Sequence, residues 1–240
     1  MKLRRFLSLL LATATPLIAA VSPDTVSTSQ GPLKITPIKH ASAMLEFGGK
    51  VIHVDPWSQG DYTGLPKADV IFITDIHGDH MDPAKIAEIK KEGTVIVAPA
   101  AVAKTVTEAT IINNGESKTI AGIQVEAVPM YNLVRGPSAG KLFHDKGRGN
   151  GYVLTLGGKR IYFSGDTEGV PEIKSLKNID IAFITMNLPY TMPPEEAAEC
   201  VKAFKPKIVY PYHYRNSDLN VFTNALKEEK GIEVRLRNWY

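Results

Sequence analysis

From residue 33 onward, short apolar runs alternate with residues that favour turns. The apolar runs at 33–38, 43–47 and 51–54 each have the length of a β-strand. The second and third runs are joined across Gly48 and Gly49, and a glycine pair of this kind favours the tight turn of a hairpin. The pattern therefore predicts that the folded region begins with antiparallel strands.

Further along the chain, buried-strand patterns alternate with helical ones. The predicted strands cover 70–73, 94–98, 123–128, 152–156, 160–163, 179–184, 208–210 and 233–237, and the predicted helices cover 83–91, 194–204 and 219–229. Hairpins combined with alternating strands and helices predict an α+β fold, in which two mixed sheets carry helices on their outer faces. The segments ADVIFITDI (68–76) and IDIAFITMN (179–187) resemble each other, which suggests two related halves.

The first twenty residues have the composition of a secretory signal peptide. A short basic start with Lys2, Arg4 and Arg5 precedes an apolar segment that ends among small residues. This segment is shorter than the roughly 20 residues of a spanning helix, so we expect cleavage, export to the periplasm and no stable membrane insertion afterwards. Residues 21–32 are rich in Ser, Thr, Pro and Gly and are predicted to form a flexible leader before a single domain over 33–240.

Composition and charge narrow the function classes. The chain has 240 residues, of which 44% are hydrophobic and 22% are charged, the balance of a soluble globular protein. Its formal net charge of +3 equals the contribution of the three basic residues in the predicted signal peptide. The remaining chain is neutral and gives no reason to expect nucleic-acid binding. The single cysteine, Cys200, excludes an internal disulfide and is interpreted as a core residue.

Histidines and aspartates cluster directly after predicted strands. The stretch TDIHGDH (74–80), Asp166 and His213 each follow one, and His144 lies in a glycine- and lysine-rich loop. Loops at one end of a sheet converge in space. Because imidazole nitrogens and carboxylate oxygens are ligands of Zn²⁺ and related ions, the sequence predicts a metal site at this end of the fold.

The order of these motifs resembles that of a known family. TDIHGDH is similar to the metallo-β-lactamase superfamily signature His-x-His-x-Asp-His, and YFSGDTE (162–168) resembles that family's later segment with its bridging aspartate. The stretch HASAMLEFGGKVIHVDPW (40–57) resembles the branch that contains ascorbate-6-phosphate lactonase-like hydrolases. The resemblance implies a four-layer αββα sandwich.

The resemblance also implies a centre with two divalent metal ions, zinc being the expected metal and manganese or iron the alternatives. It assigns His77 and His144 to the first ion, Asp79, His80 and His213 to the second, and Asp166 to both. Asp75 stands where the family usually has its first histidine. Either Asp75 binds the first ion, or it only accepts a hydrogen bond from a ligand and the first site is weak or empty.

Five further residues are candidates for the surroundings of the centre. Asp55 is expected to accept a hydrogen bond from a ligand histidine and so fix its tautomer. His40 matches an early histidine of the branch and either lines the pocket or is structural. Tyr131, Asn132 and Tyr190 lie in loops that reach the substrate or make only surface contacts.

The predicted chemistry is hydrolysis of a small-molecule ester, lactone or phosphodiester by a metal-bound hydroxide, with Asp79 and Asp166 as the residues on which turnover depends. Asp75 keeps a second hypothesis open, in which the chain is a non-catalytic metal- or partner-binding protein that retained the fold. A third is an iron-dependent oxidative enzyme on the same fold. Residue patterns alone do not name the substrate or the oligomeric state.

Overall fold

Two mixed sheets run through the computed structural model, which describes residues 23–240. In order across the first sheet lie β1 (Asp24–Thr28), β2 (Gly31–Lys39), β3 (Ser42–Phe47), β4 (Lys50–Val54), β5 (Ala68–Phe72), β6 (Lys90–Ala98) and β7 (Thr110–Ile111). The second sheet contains β8 (Ser117–Ile120), β9 (Ile123–Met130), β10 (Gly149–Leu156), β11 (Lys159–Phe163), β12 (Ile181–Thr185), β13 (Ile208–Tyr212) and β14 (Glu233–Val234). The helices are α1 (Pro83–Ile89), α2 (Ala100–Ala103), α3 (Pro171–Lys174), α4 (Pro194–Phe204) and α5 (Leu219–Leu226).

The two sheets share one topology. In each, the first three neighbouring pairs are antiparallel and the last three are parallel. Strands β5 and β12 hold the same place in their sheets and carry the two segments that resemble each other in sequence. Both are almost wholly buried, as expected for parallel strands covered on two faces. The two halves suggested by the sequence are thus visible in the strand order.

Three hydrophobic clusters separate four layers. Phe72 of the first sheet and Phe163 of the second belong to the cluster between the sheets. Ile86 of α1 packs in a cluster on the outer face of the first sheet, and Val201 of α4 packs in one on the outer face of the second. The order helix, sheet, sheet, helix confirms the predicted αββα sandwich.

The predicted flexible leader over 21–32 is wrong from Asp24 onward. Residues 24–28 form β1, which pairs antiparallel with β2, and the Asp24 carboxylate accepts hydrogen bonds from Tyr210 Oη and Arg237 Nη2, both at 2.8 Å. Val26 and the threonines at 25 and 28 favour an extended strand, a preference that outweighs the Ser and Pro content of 21–32 that suggested a loop. The folded region therefore begins before residue 33.

The predicted signal peptide over 1–20 lies outside the described residues and stays a prediction. Between residues 23 and 240, the structure contains no helix with the length and apolar character of a membrane span.

Candidate metal centre

Side chains that follow four different strands meet around Asp166. Its Oδ2 lies 3.3 Å from His80 Nε2 and 3.2 Å from His144 Nε2, and its Oδ1 lies 3.3 Å from His213 Nδ1. None of these four side chains is more than 4% exposed. Three histidines and one carboxylate that are far apart in sequence therefore converge in one buried cluster.

Several polar atoms of this cluster have no hydrogen-bond partner among the described residues. They are His80 Nε2, His144 Nε2, His213 Nε2 and Asp166 Oδ1. A buried polar atom without a partner is costly, and these four are the donor atoms that a Zn²⁺-type cation would bind. The arrangement fits a metal ion that satisfies them.

The electrostatics of the cluster agree with this fit. Burial acts to raise the pKa of Asp166, but His213 and His80 hold that pKa well below its usual range. Burial acts to lower the pKa of His80, yet the Asp166 and Asp55 carboxylates raise it well above its usual value. Both directions have one cause, since the buried carboxylates stabilise positive charge between them. A divalent cation would supply that charge in place of a proton.

Asp79 and His40 border the cluster on a more open side. Asp79 Oδ2 lies 3.0 Å from His40 Nε2 and 3.6 Å from His213 Nε2, and 24% of the Asp79 side chain is exposed. Burial lowers the pKa of His40 to about 4, so its ring is neutral at neutral pH. The neutral ring donates to Asp79 through Nε2 and accepts from Tyr240 Oη at Nδ1, at 2.6 Å. His40 thus lines the centre and orients Asp79.

Strained backbone accompanies these side chains. His40, Asp55 and His213 have φ values of 59°, 47° and 48°, in a left-handed region that non-glycine residues rarely adopt. Gly165, with φ of +61°, precedes Asp166 at a point where a Cβ would collide with the Met130 sulfur. The fold holds these residues in costly conformations, a feature common at functional sites.

Asp75 and His77 lie beside the cluster, and a third residue that we did not predict joins them. Asp75 Oδ2 lies 3.0 Å from His77 Nδ1. Both Asp75 oxygens also accept hydrogen bonds from Arg148, Oδ1 from Nε at 3.0 Å and Oδ2 from Nη2 at 2.7 Å. The only sequence signal for Arg148 was its place in the basic loop that carries His144.

Asp55 makes the hydrogen bond expected from the sequence. Its Oδ2 accepts from His80 Nδ1 at 2.9 Å, and the Thr74 backbone N–H and hydroxyl donate to the same carboxylate at 2.7 and 2.6 Å. With Nδ1 committed to Asp55, the lone pair of His80 Nε2 points into the centre.

Asn132 holds His144 in a similar way. Its Oδ1 accepts from His144 Nδ1 at 2.6 Å and from the His144 backbone N–H at 2.9 Å. Asn132 is buried, so it supports His144 and does not make a surface contact. Tyr131 and Tyr190 lie farther out: the Tyr131 hydroxyl donates to Glu172, and Tyr190 is 39% exposed, with its ring packed against Phe143.

Comparison with known proteins identifies the family. Residues 34–213, three-quarters of the chain, match the beta-lactamase superfamily domain. The chain belongs to the beta-lactamase superfamily. The predicted superfamily is thereby confirmed, and the lactonase-like branch stays a prediction.

Relatives of this beta-lactamase superfamily protein include a UPF0173 metal-dependent hydrolase of Thermococcus onnurineus, 34% identical over 197 residues, which span 76% of this chain and 84% of that protein. The crystal structure of a candidate metal-dependent hydrolase from Parabacteroides distasonis is 44% identical with a TM-score of 0.85, and the match covers 90% of this chain and 98% of the other. Igni18, a metallo hydrolase of Ignicoccus hospitalis, shares the fold with a TM-score of 0.72 at 24% identity, over 86% of this chain and 95% of its own.

Replacing Asn132 with alanine should weaken metal binding by this superfamily member about 10-fold to 100-fold, because His144 loses the partner that orients its ring. Competition with a chromogenic chelator measures the affinity. Asn220→Ala, which removes an exposed side chain that contacts Asp218 at the start of α5, serves as the matched control and should leave the affinity unchanged. Equal affinities for wild type and Asn132→Ala would contradict the assigned role.

Glu168 was not predicted, although it lies two residues after Asp166. It is 1% exposed, and its carboxylate accepts from the backbone N–H groups of Leu133, Val134 and Arg135 at 3.0, 3.2 and 2.7 Å. Asn132 Nδ2 donates to the same carboxylate at 2.9 Å. Glu168 therefore folds the loop that positions Asn132 and, through it, His144.

Glu168→Ala should lower the free energy of unfolding by about 2 kcal/mol or more, because three backbone donors and Asn132 lose their acceptor. Urea unfolding followed by circular dichroism measures the change. Glu172→Ala removes a carboxylate that pairs with Lys146 and Tyr131 near the surface and should cost much less. An equal loss in the two variants would show that the loop contacts do not matter.

Proposed function

We propose that this protein is a metal-dependent hydrolase of a small molecule that carries an ester, lactone or phosphodiester. One observation carries the proposal: four buried donor atoms, Asp166 Oδ1 and the Nε2 atoms of His80, His144 and His213, lack hydrogen-bond partners among the described residues. Relatives named as metal-dependent hydrolases support it further. Three of the four atoms are imidazole nitrogens, a donor set that favours zinc, with manganese or iron as alternatives.

His80, Asp166 and His213 would hold the ion, and His144 and Asp79 lie close enough to join them. When bound, a divalent cation lowers the pKa of a water ligand towards neutral and stabilises the negative charge that develops on the reacting group. Asp55 and Asn132 keep the free lone pairs of His80 and His144 aimed at that position.

Asp79 is suited to handle the attacking water. It is the most exposed carboxylate of the cluster, at 24% against 4% for Asp166, so a solvent molecule reaches it first. Its contact with neutral His40 fixes the carboxylate orientation. We assign Asp79 the role of accepting a hydrogen bond from the incoming water and directing it towards the substrate.

Protein nucleophiles are poorly placed for an alternative mechanism. The segment GPSAG (136–140) has the spacing of a serine nucleophile elbow, but Ser138 is exposed and pairs only with Lys141 in an isolated bridge, without the strand-to-helix turn that such an elbow needs. Burial raises the pKa of the Cys200 thiol to about 11, and Cys200 packs in the core behind the second sheet.

A hydrolysis panel on defined metal forms tests the proposal. Protein purified without added metal would be analysed for its elements, stripped, reloaded with Zn²⁺, Mn²⁺ or Fe²⁺, and assayed on ester, lactone and phosphodiester substrates. We expect turnover on at least one class that disappears on stripping and in Asp166→Asn purified in parallel. Full metal occupancy without turnover on any class would instead support the non-catalytic hypothesis.

A further inference from the structure

We infer that Arg148 takes the place of one of the two metal ions predicted from the sequence. The centre then holds a single divalent cation beside Asp166. The guanidinium of Arg148 binds the Asp75 carboxylate, which a second ion would otherwise use as a ligand. This inference rests on the proposed metal-dependent function and specifies its stoichiometry.

Arg148 binds both oxygens of Asp75 through two nitrogens of its guanidinium group. Nε donates to Oδ1 at 3.0 Å and Nη2 donates to Oδ2 at 2.7 Å, the bidentate geometry of strong guanidinium–carboxylate pairs. Nη1 donates to the Phe143 carbonyl at 2.8 Å, so all three guanidinium nitrogens of Arg148 have an acceptor. Asp75 is fully buried and Arg148 is largely so. Both oxygens of Asp75 therefore already have a positively charged partner.

The two ends of the centre differ in what they lack. Asp166 Oδ1 and the Nε2 atoms of His80, His144 and His213 have no hydrogen-bond partner among the described residues, whereas both Asp75 oxygens do have one. Asp75, His77 and His144 do lie close enough to form a trio of potential ligands. A cation placed there would face the Arg148 guanidinium at short range, where like charges repel strongly. His77, with a side chain 44% exposed, has a smaller burial cost for an ion to relieve than the three buried histidines, none of which is more than 1% exposed.

The loop that bears Arg148 also supplies His144. The Arg148 backbone N–H closes a turn on the Asp145 carbonyl at 3.1 Å, directly before β10. One short loop thus delivers a ligand to the ion and a permanent positive charge beside it. An arginine has five N–H donors, and three have protein acceptors here. The other two can donate to an oxygen of a carbonyl or phosphoryl substrate. Arg148 would then stabilise the negative charge on the substrate that a second metal ion would otherwise stabilise.

Loading with Mn²⁺ alone tests the stoichiometry without any assay of turnover. Stripped wild-type protein would be saturated with Mn²⁺, desalted, and examined by native mass spectrometry and electron paramagnetic resonance. We expect one ion per chain and the six-line spectrum of an isolated Mn²⁺. Two ions with a spin-coupled spectrum would overturn this inference and leave the proposed function standing. A chain that binds no ion would overturn both.

Arg148→Met separates the guanidinium from the rest of the loop. This variant frees the buried Asp75 carboxylate beside His77 and His144, so the Mn²⁺ count should rise from one to two. Arg160→Met is the matched control, because Arg160 makes a comparable fork with Glu126 at the opposite end of β11 from Asp166; its count should stay at one. A count of one in folded Arg148→Met would overturn the inference, and if that variant does not fold, the wild-type count alone decides.

Discussion

Asp166→Asn should lower kcat/KM by about 1,000-fold or more, because one side chain contacts all three buried histidines and supplies charge that an amide cannot. Asp166 Oδ2 lies between His80 and His144, and Oδ1 faces His213. The substitution keeps the shape of the side chain and removes its negative charge. The same variant should retain much less metal after desalting, which elemental analysis of the purified protein measures.

Asp180→Asn is the matched control for this variant. Asp180 accepts hydrogen bonds from Lys207 Nζ at 2.8 Å and from the Arg160 backbone N–H at 3.0 Å, at the start of β12, the end of the parallel strands opposite the metal centre. We expect its activity to stay within about threefold of wild type, because Asp180 lies away from the centre and its ion-pair partner Lys207 has a side chain that is 71% exposed. If Asp166→Asn kept more than a tenth of wild-type activity, the assignment of Asp166 to the metal centre would be contradicted.

Removing the metal should lower the melting temperature by about 10 °C. A ligand that binds only the folded state stabilises it by about 4 kcal/mol at a concentration 1,000 times its dissociation constant. For a domain of this size each kcal/mol shifts the melting temperature by about 2–4 °C. Without the ion, the negative charge of Asp166 also acts to raise the pKa of Asp79, because the two carboxylates repel each other. Differential scanning fluorimetry before and after dialysis against a chelator measures the shift.

Two observations control that experiment. Adding Zn²⁺ back should restore the melting temperature, and Asp166→Asn should respond little to either chelator or metal. A chelated wild-type protein that melts within about 2 °C of the untreated one, under conditions that remove the metal, would show that the ion does not stabilise the fold.

The long buried strands were predictable because their apolar runs are continuous. The hairpin across Gly48 and Gly49 and the helix over Pro194–Phe204 are present as predicted. Elements of two to four residues, such as β7, α2 and α3, were missed because so short a stretch has no detectable period. Strand β1 was missed because its polar residues suggested a loop, while its pairing with β2 is a tertiary property.

The end of the sheets that carries the candidate metal centre was predictable from the order of motifs along the chain. The hydrogen bonds within the centre were not. Histidine and aspartate after a strand identify the end of the sheet that bears a site, whatever the loop conformation. The partners of Asp75 and Asn132 depend on that conformation: Arg148 lies 73 residues from Asp75, and His144 lies 12 residues from Asn132. No local spacing rule connects such pairs.

Anomalous diffraction at a metal absorption edge, on crystals of protein loaded with Zn²⁺, tests the central claim most directly. The account predicts a peak enclosed by His80, Asp166 and His213, the residues whose buried donor atoms lack other partners. A loaded protein whose peak lies away from these three side chains, or that shows none, would contradict it.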